Sequence, residues 1–305
     1  MVRFIATRVV QGLLVVFGAA TISFLLTSVS GNAVDARYSN LDAATRARLI
    51  HQYGYDQPLP VRYVHYLGNL LHGDFGPSSS VSSSPLARVG NALPYTLTLV
   101  GCAIVLATLI AVAVATYGAI RRESRVAVGL RRTFMALQGI PEFFVGLVLV
   151  LVFAVQLGWL PSFGANDASS YVLPVAALTI PLISTLTRLM RSQLLDVLGR
   201  DFVVALRAKG LTQRQIVLRH GLRNSAPPLI TYLALQLGWL LGGTLIVEVV
   251  FGIPGIGSLV VASAGVRDVA TVQAVVVVVA IGYVALNLLA DLAVYAIDPR
   301  IRRPA

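Results

Sequence analysis

Six long stretches of this chain are apolar and nearly free of charged side chains, and this feature limits the possible folds more than any other. They cover residues 9–28, 93–118, 134–157, 171–187, 228–250 and 271–294. Most are close to the roughly 20 apolar residues that a helix needs to cross a bilayer. Only 12% of all residues are charged, about half the share usual in soluble domains. The sequence therefore predicts an all-α integral membrane protein with six transmembrane helices.

Basic side chains are distributed unevenly between the segments that join these stretches. Segments 121–132 and 188–223 contain five and eight Lys or Arg residues, whereas 158–170 contains none and 251–270 contains one. Short cytoplasmic segments are enriched in Lys and Arg, so the first two are expected on the cytoplasmic side. With six helices, both termini are then cytoplasmic as well. The net charge of +11 is explained by this asymmetry and requires no nucleic-acid partner.

The segment between the first two stretches is long enough to form a small extracytoplasmic lobe. Residues 41–52 have an amphipathic pattern with Asn40 available as the N-cap, and residues 61–71 repeat apolar side chains at spacings of three and four. Both are predicted to be helices. We therefore divide the chain into residues 1–92, which hold the first transmembrane helix and the lobe, and residues 93–305, which hold the other five.

The cytoplasmic loop 191–226 has the clearest local pattern. Residues 191–209 have helical spacing and are followed by Gly210, as helix C-termini commonly are. Thr212–Gln215 is a capping-box sequence that opens a second short helix, and Pro227–Pro228 is expected to separate that helix from the fifth transmembrane helix. Such a unit could transmit a movement from the cytoplasmic side to the membrane helices, or it could be an ordinary basic loop held by lipid headgroups.

Motifs of enzyme chemistry are absent from the sequence. A P-loop needs Gly-x-x-x-x-Gly-Lys-Ser/Thr, but the only lysine is Lys209, and Gly210 follows it. The four histidines and the single cysteine have no metal-site spacing, and no Gly-x-Ser-x-Gly motif is present. The sequence therefore predicts no catalytic residue, no metal or cofactor site and no ATP site within this chain.

Three carboxylates fall within or near the apolar stretches, where ionisable side chains commonly mark a transport path. Glu142 follows Pro141, so it either lines a polar path or satisfies the backbone that the proline frees. Glu248 and Asp291 lie near the ends of their stretches, where each could also reach water or pair with an arginine. Glu142 and Glu248 are the candidates for a translocation path.

Several motifs, in order along the chain, resemble one family of transport proteins. Residues 201–211 read Asp-Phe-Val-Val-Ala-Leu-Arg-Ala-Lys-Gly-Leu, and residues 218–224 read Leu-Arg-His-Gly-Leu-Arg-Asn. Leu241–Thr244, Glu248–Phe251 and Pro254–Gly257 follow them. Over essentially its whole length, the chain resembles the B-type membrane subunit of dipeptide/oligopeptide ABC importers.

The resemblance implies a type I ABC importer permease fold in which loop 191–226 couples the membrane helices to an ATPase. Import permeases in general carry Glu-Ala-Ala-x-x-x-Gly in this loop, and those places hold Val204, Ala205, Leu206 and Gly210 here. The Glu is therefore missing. The residues expected to form the contact with the ATPase are Asp201, Ala205, Arg207, Lys209, Gly210 and Leu211.

The resemblance also implies partners, a location and a cargo. The partners are a second homologous permease subunit, one or two ABC ATPase subunits that bind ATP and Mg²⁺, and an extracytoplasmic substrate-binding protein, assembled in a bacterial inner membrane. The cargo would be a dipeptide or oligopeptide, with nickel, haem, glutathione and oligosaccharides as alternatives within the family. From the residues alone, a stand-alone secondary transporter and a scaffold without a path are rival interpretations, although no clear internal repeat of the secondary-transporter type is found.

Overall fold

The computed structural model describes residues 2–29, 42–52, 54–76, 78, 83–121, 124–137 and 139–297. Within these ranges the regular elements are helices and no strand occurs, which confirms the predicted all-α class. In chain order they are α1 (Val2–Val29), α2 (Ala43–Gln52), α3 (Leu59–Leu71), α4 (Pro85–Ile120), α5 (Arg125–Leu137), α6 (Glu142–Leu149, continued by a π-helical segment, Val150–Gln156), α7 (Val172–Leu198, preceded by a 3₁₀ turn, Ala168–Tyr171), α8 (Asp201–Ala208), α9 (Gln213–Gln215, continued by a π-helical segment, Ile216–Gly221), α10 (Leu222–Gly243), α11 (Leu245–Phe251), α12 (Ile256–Gly265) and α13 (Val269–Ile297).

Four helices of the described ranges are long and apolar enough to cross a membrane. They span Ile5–Ser28, Pro85–Ile120, Ala168–Leu198 and Val269–Ala293. Each contains one of the predicted apolar stretches, because some 20 apolar residues without a charge are stable only as a buried or lipid-facing helix. The membrane class is thus confirmed. The total of six spans and the cytoplasmic side of the termini stay predictions.

The other two predicted spans are interrupted. The fifth is a pair of helices, Gln213–Gly243 and Leu245–Phe251, bent by 50° at the break between them. The third begins in α5, breaks before Pro141, and continues as the short apolar helix Glu142–Gln156. Pro141 cannot donate a backbone hydrogen bond and disfavours a helical residue before it, which accounts for this break.

Two predicted boundaries in the cytoplasmic loop are wrong. The helix predicted over residues 191–209 is divided, because α7 ends at Leu198 and α8 starts at Asp201. The pair Pro227–Pro228 does not separate two helices, because both prolines lie inside α10. Prolines are tolerated in membrane helices where other donors and local π-helical adjustments satisfy the freed backbone groups, and a π-helical segment ends just before α10.

The described chain forms two compact units. The first contains Met1–Thr96, Leu241–Leu245 and Pro254–Ala285. Its core is built from small and β-branched side chains of α1, α4, α12 and α13 around one aromatic ring: Ala20, Phe75, Val89, Ala92, Ile256, Ala270, Ala274, Val275 and Val277. Two hydrogen bonds pin these helices together. The Ile256 N–H donates to Thr96 Oγ1 at 2.8 Å, and Gln273 Nε2 donates to Thr27 Oγ1 at 2.6 Å.

The second unit contains Leu97–Leu240, Ile246–Ile253 and Leu286–Ala305. Helix α7 is its centre, since 15 of its 27 residues are buried. The Ser184 hydroxyl donates to the carbonyl of Phe134 at 2.6 Å, which ties α7 to α5. The division at residue 92 proposed from the sequence rested on membrane topology, and it stays a prediction.

The lobe packs through its second helix on α1, within the first unit. The Phe24 ring lies 5.3 Å from both the Tyr63 and the Tyr66 rings, and Thr21 Oγ1 and Tyr63 Oη share a hydrogen bond of 2.6 Å. Helices α2 and α3 confirm the two predicted lobe helices. The predicted cap, Asn40, lies outside the described residues, and Asp42 accepts from the Thr45 N–H at 3.0 Å instead.

Candidate functional site

Helix α8 is a short amphipathic helix on the segment predicted to face the cytoplasm. Asp201 lies in its first turn and Arg207 in its last, so both charges are favourable to the helix dipole. Val203 is buried at 1% exposure, while Phe202 and Val204 are 37% and 65% exposed. One face therefore holds α8 on the protein, and the other presents apolar side chains outward.

Gly210 forms the turn that ends α8. Its φ is +81°, a conformation that side-chain-bearing residues adopt only at a cost. The Gly210 N–H donates to the Arg207 carbonyl at 2.9 Å, and the Leu211 N–H donates to the Leu206 carbonyl at 3.2 Å. This pair of bonds is a Schellman motif, which satisfies the last carbonyls of the helix and reverses the chain. The C-terminal glycine predicted from the sequence is confirmed.

The second helix of the loop begins with a complete capping box. Gln215 N–H donates to Thr212 Oγ1 at 3.3 Å, and Thr212 N–H donates to Gln215 Oε1 at 2.9 Å. Arg207 Nη2 donates across the turn to Gln213 Oε1 at 3.3 Å, and Gln213 Nε2 donates to the Ala119 carbonyl at the end of α4 at 3.4 Å. The turn is thus bonded both to α8 and to a membrane helix.

Buried side chains make this unit continuous with the membrane core. Ile216 and Val217 are fully buried, and a Cβ on Gly221 would lie 3.2 Å from the Leu194 side chain of α7. Because α8 and α9 are joined by a bonded turn and the π-helical continuation of α9 packs on α7, they can move as one body with it. We call residues 201–221 the coupling unit.

The structure brings the six predicted contact residues together in the coupling unit. Five of them have exposed side chains or backbone and Leu211 is half-buried: Asp201, Ala205, Arg207, Lys209, Gly210 and Leu211. Phe202 and Val204 were not among the predicted contact residues, although they are the large apolar side chains that α8 exposes. Five consecutive apolar residues, 202–206, lie between Asp201 and Arg207, so the sequence of this short helix does not indicate which face is left uncovered.

The two candidate path carboxylates occupy different environments. Glu248 is fully buried in α11, the short arm of the bent pair. The end of that arm is another Schellman motif, in which Ile253 N–H donates to the Glu248 carbonyl at 2.9 Å and Gly252 has a φ of +61°. Glu142 is half-buried in the first turn of α6, where its charge is favourable to the helix dipole. Their role in a path stays a prediction.

The first unit contains a buried ion pair that sequence reasoning missed. Asp268 is fully buried and accepts from Arg88 Nη1 at 2.5 Å, from Ser78 Oγ at 2.6 Å and from Thr271 Oγ1 at 2.8 Å. Arg267 just before it has a φ of +55°, which is unusual for a residue with a side chain. The pair is 180 residues apart in the chain, so no local pattern could predict it.

The comparisons with known proteins agree with this architecture. The family model for the inner membrane component of binding-protein-dependent transport systems matches residues 103–303. The chain belongs to this family. The glutathione transport system permease protein GsiC of Escherichia coli K12 is 38% identical over 264 residues, which cover 86% of this chain and 85% of that protein. The oligopeptide transport system permease protein AppB of Bacillus subtilis 168 is 33% identical over 317 residues, which cover 99% of both.

Two solved transporters share the fold of this permease. The inward-facing MetNI methionine ABC transporter has a TM-score of 0.55 at 21% identity, covering 69% of this chain and 96% of that chain. An amino acid ABC transporter with histidines has a TM-score of 0.51 at 17% identity, covering 70% and 94%. The predicted type I importer permease fold and the predicted family are confirmed.

Membership of the family defines the kind of machine in which this permease works. It is a multi-pass membrane permease subunit of an ABC importer. Such an importer contains ATPase subunits, a substrate-binding protein and a second permease. Within the described residues, no group of three or more His, Cys, Asp or Glu side chains is placed to hold a metal ion.

A cavity of about 800 Å³ opens in the first unit of the permease, beside the lobe. Its wall combines rings with amides and charged groups, among them Tyr55, Arg62, His65, Tyr66 and Asn69. The Arg62 guanidinium lies 5.0 Å from the centre of the Tyr55 ring. Burial raises the pKa of Tyr66 to about 12, so its hydroxyl stays protonated and can donate at any physiological pH.

Proposed function

We propose that this permease imports short peptides, driven by ATP that separate ATPase subunits hydrolyse. The observation that carries the cargo is the agreement of two kinds of relative: one relative is named for oligopeptides and aligns over 99% of both chains, and several are named for glutathione and reach 39% identity. Glutathione is itself a small peptide. The two names therefore converge on a solute of a few amino acids with free charged ends.

The coupling unit supports docking of an ATPase on the cytoplasmic face. Phe202 and Val204 are apolar side chains exposed on α8, and the exposed cations Arg207 and Lys209 lie at the C-terminal end of the same helix. Apolar anchors within a charged rim are typical of the energetic centre of a protein interface. In this proposal Val204 and Leu211 enter an apolar groove of the ATPase, while Lys209 meets acidic or carbonyl groups at its edge.

The energy source lies outside this chain in our proposal. Lys209 and Gly210, the only Lys–Gly sequence, form a helix-terminating turn with a single glycine, whereas a P-loop cradles phosphate with a glycine-rich loop before a helix. ATP and Mg²⁺ would bind to two ATPase subunits or one fused pair. A second homologous permease would complete the path, and a substrate-binding protein would deliver the peptide at the outer face of a bacterial inner membrane.

Glu248 is our stronger candidate for the path. A carboxylate buried at membrane depth is costly unless it is bonded or faces a polar cavity, and helix breaks at that depth occur where the backbone lines such a cavity. Glu248 is a buried carboxylate, and it also lies at a helix break, on the short arm of the helix pair that is bent by 50°. Glu142 also lies at a helix break, directly after Pro141, but its side chain is only half-buried.

Uptake by the reconstituted transporter tests the cargo. Proteoliposomes with the complete transporter would be given a labelled tripeptide, with glutathione, a tetrapeptide, nickel, haem or an oligosaccharide as competitors. We expect the tetrapeptide or glutathione to abolish uptake. Tripeptide uptake that neither peptide reduces but that nickel, haem or an oligosaccharide abolishes would overturn the proposed cargo and leave the importer class intact.

Loss of the ATPase from the purified complex tests the docking surface. Val204→Asp places a charge on the exposed apolar face of α8, and we expect the ATPase to dissociate while the permease still inserts. Leu71→Asp is the matched control, since Leu71 is 87% exposed and lies in the lobe. Co-purification of the ATPase with the Val204 variant at the level of the control would refute docking on this face.

A further inference from the structure

The loop that follows α6 presents two large aromatic side chains to the surroundings of the protein. Trp159 is 70% exposed and Phe163 is 69% exposed. They belong to residues 157–164, Leu-Gly-Trp-Leu-Pro-Ser-Phe-Gly, which we call the aromatic loop. In water, such exposure of two large rings would be unfavourable. Neither ring belongs to the coupling unit or to the carboxylates of the proposed path.

The aromatic loop is held in place by hydrogen bonds and packing within the second unit. Gly158 has a φ of +63°, and it turns the chain so that the Trp159 N–H donates to the Phe153 carbonyl at 2.9 Å. The Trp159 and Phe153 rings lie 6.0 Å apart. Trp159 is therefore fixed at the end of the π-helical segment and is not a freely moving side chain.

At its other end, the aromatic loop is fastened to the bent helix pair. The Gly164 N–H donates to the Phe251 carbonyl at 2.8 Å. The Phe163 ring covers Gly252 so closely that a Cβ there would lie 2.1 Å from Phe163 Cζ. Only glycine fits beneath this ring, so the loop and the end of α11 fit each other specifically.

The helix that precedes the aromatic loop has an exposed apolar face. Residues 143–166 contain no charged side chain. Four exposed apolar side chains follow one another along α6 at helical spacing: Phe144, Leu147, Leu151 and Val155. The 15 residues of Glu142–Gln156 rise at most about 22 Å, less than the roughly 30 Å of a hydrocarbon core. The aromatic loop follows directly on the end of this helix, and the rest of the span is supplied by the end of α5 before the break at Pro141.

We propose that the aromatic loop is a lipid-anchoring surface, in which Trp159 and Phe163 lie at the boundary between the acyl chains and the headgroups of the outer leaflet. Indole rings are favoured at this depth because they combine an apolar body with one N–H donor. The partner is the phospholipid bilayer. The same loop is hydrogen-bonded to Phe251 and packs on Gly252. The anchor therefore also holds the outer end of α11 at a constant depth. This inference requires that the chain crosses a membrane, and its outer leaflet follows from the predicted orientation, in which residues 158–170, without Lys or Arg, are extracytoplasmic. It is independent of the cargo.

Fluorescence quenching by brominated phospholipids tests the anchor directly. The chain has two tryptophans, so Trp239→Phe leaves Trp159 as the only indole of the permease. The full-length variant would be placed in lipid nanodiscs in which bromine is carried either near the headgroup or deep in the acyl chain. Trp159→Phe is the matched control, because it leaves only Trp239 inside the spanning helix α10. The variants would be measured alone and in the assembled transporter, where subtracting the signal of the double variant Trp159→Phe/Trp239→Phe from that of Trp239→Phe isolates Trp159.

If the loop anchors the protein in lipid, we expect bromine near the headgroup to quench Trp159 at least twice as strongly as bromine deep in the acyl chain. Aqueous iodide is expected to quench Trp159 weakly. The same pattern is expected in the assembled transporter. Strong quenching by iodide without quenching by bromolipid would show that the loop is in water and would overturn the proposal. Bromolipid quenching that disappears on assembly would also overturn it, because another subunit would then cover the loop.

Discussion

Replacement of Gly210 gives the sharpest test of how the coupling unit works. The φ of +81° at Gly210 lies in the left-handed region, and no heavy atom lies within 4 Å of the position that a Cβ would occupy. A new side chain therefore meets no steric obstacle, and its cost is that of the backbone conformation alone. That cost is about 1–2 kcal/mol for an ordinary residue, which shifts the population of the closed turn by roughly 5–30-fold.

Asparagine separates the conformational effect from the effect of any side chain. Asn tolerates the left-handed region better than other residues do, whereas a β-branched residue tolerates it least. We expect impairment to increase in the order Gly210→Asn, Gly210→Ala, Gly210→Val. Gly101→Ala is the matched control, because it adds the same methyl group at a helical position that also has open space.

The assay is the number of ATP molecules hydrolysed per peptide imported by proteoliposomes that contain the assembled transporter. A loosened turn lets the ATPase close without moving α7, so the ratio is expected to rise severalfold for Gly210→Val and little for Gly210→Asn. All variants are expected to insert into the membrane. A normal ratio for Gly210→Val, or equal damage from Asn and Val, would refute the role of the turn.

Three further predictions concern single contacts. Asp268→Ala leaves Arg88 without its buried partner and should cost about 3–5 kcal/mol, seen as a lower thermal unfolding midpoint in detergent; an unchanged midpoint would contradict the contribution of the ion pair. Thr212→Ala removes a helix cap worth about 1 kcal/mol and should speed amide exchange at the start of α9, whereas Thr212→Ser should not; equal exchange in both would contradict it. The hydrogen bond and charge of Asp56 raise the pKa of His51, and the hydrogen bond from His51 lowers the pKa of Asp56. The pair therefore stabilises the lobe between these two pKa values, and the contribution is lost as pH rises through the raised pKa of His51 or falls through the lowered pKa of Asp56. Asp56→Asn should lower the pKa of His51 measured by NMR, and identical titrations would contradict the pair.

Features that depend on neighbouring residues could be predicted from the sequence. Long apolar runs predicted α1, α4, α7 and α13, because a lipid-exposed helix needs little besides length and hydrophobicity. Gly210 and the capping box were found for a similar reason, since both are local solutions to unsatisfied backbone groups at helix ends.

Features that depend on tertiary packing could not be predicted in this way. Pro227–Pro228 indicated a helix boundary, but both prolines lie inside α10, which directly follows a π-helical segment. The ion pair of Arg88 and Asp268 joins residues that are far apart in the chain. Which face of α8 stays exposed is likewise set by how Val203 packs, and not by the order of residues in the helix.

The central claim is that this permease is a passive path moved by an ATPase that docks on the coupling unit. The most direct test is peptide accumulation in proteoliposomes with the permease pair and binding protein, measured with and without the ATPase subunits and ATP. We predict accumulation above the external concentration only when both ATPase and ATP are present. Accumulation against the gradient without the ATPase subunits would contradict the claim.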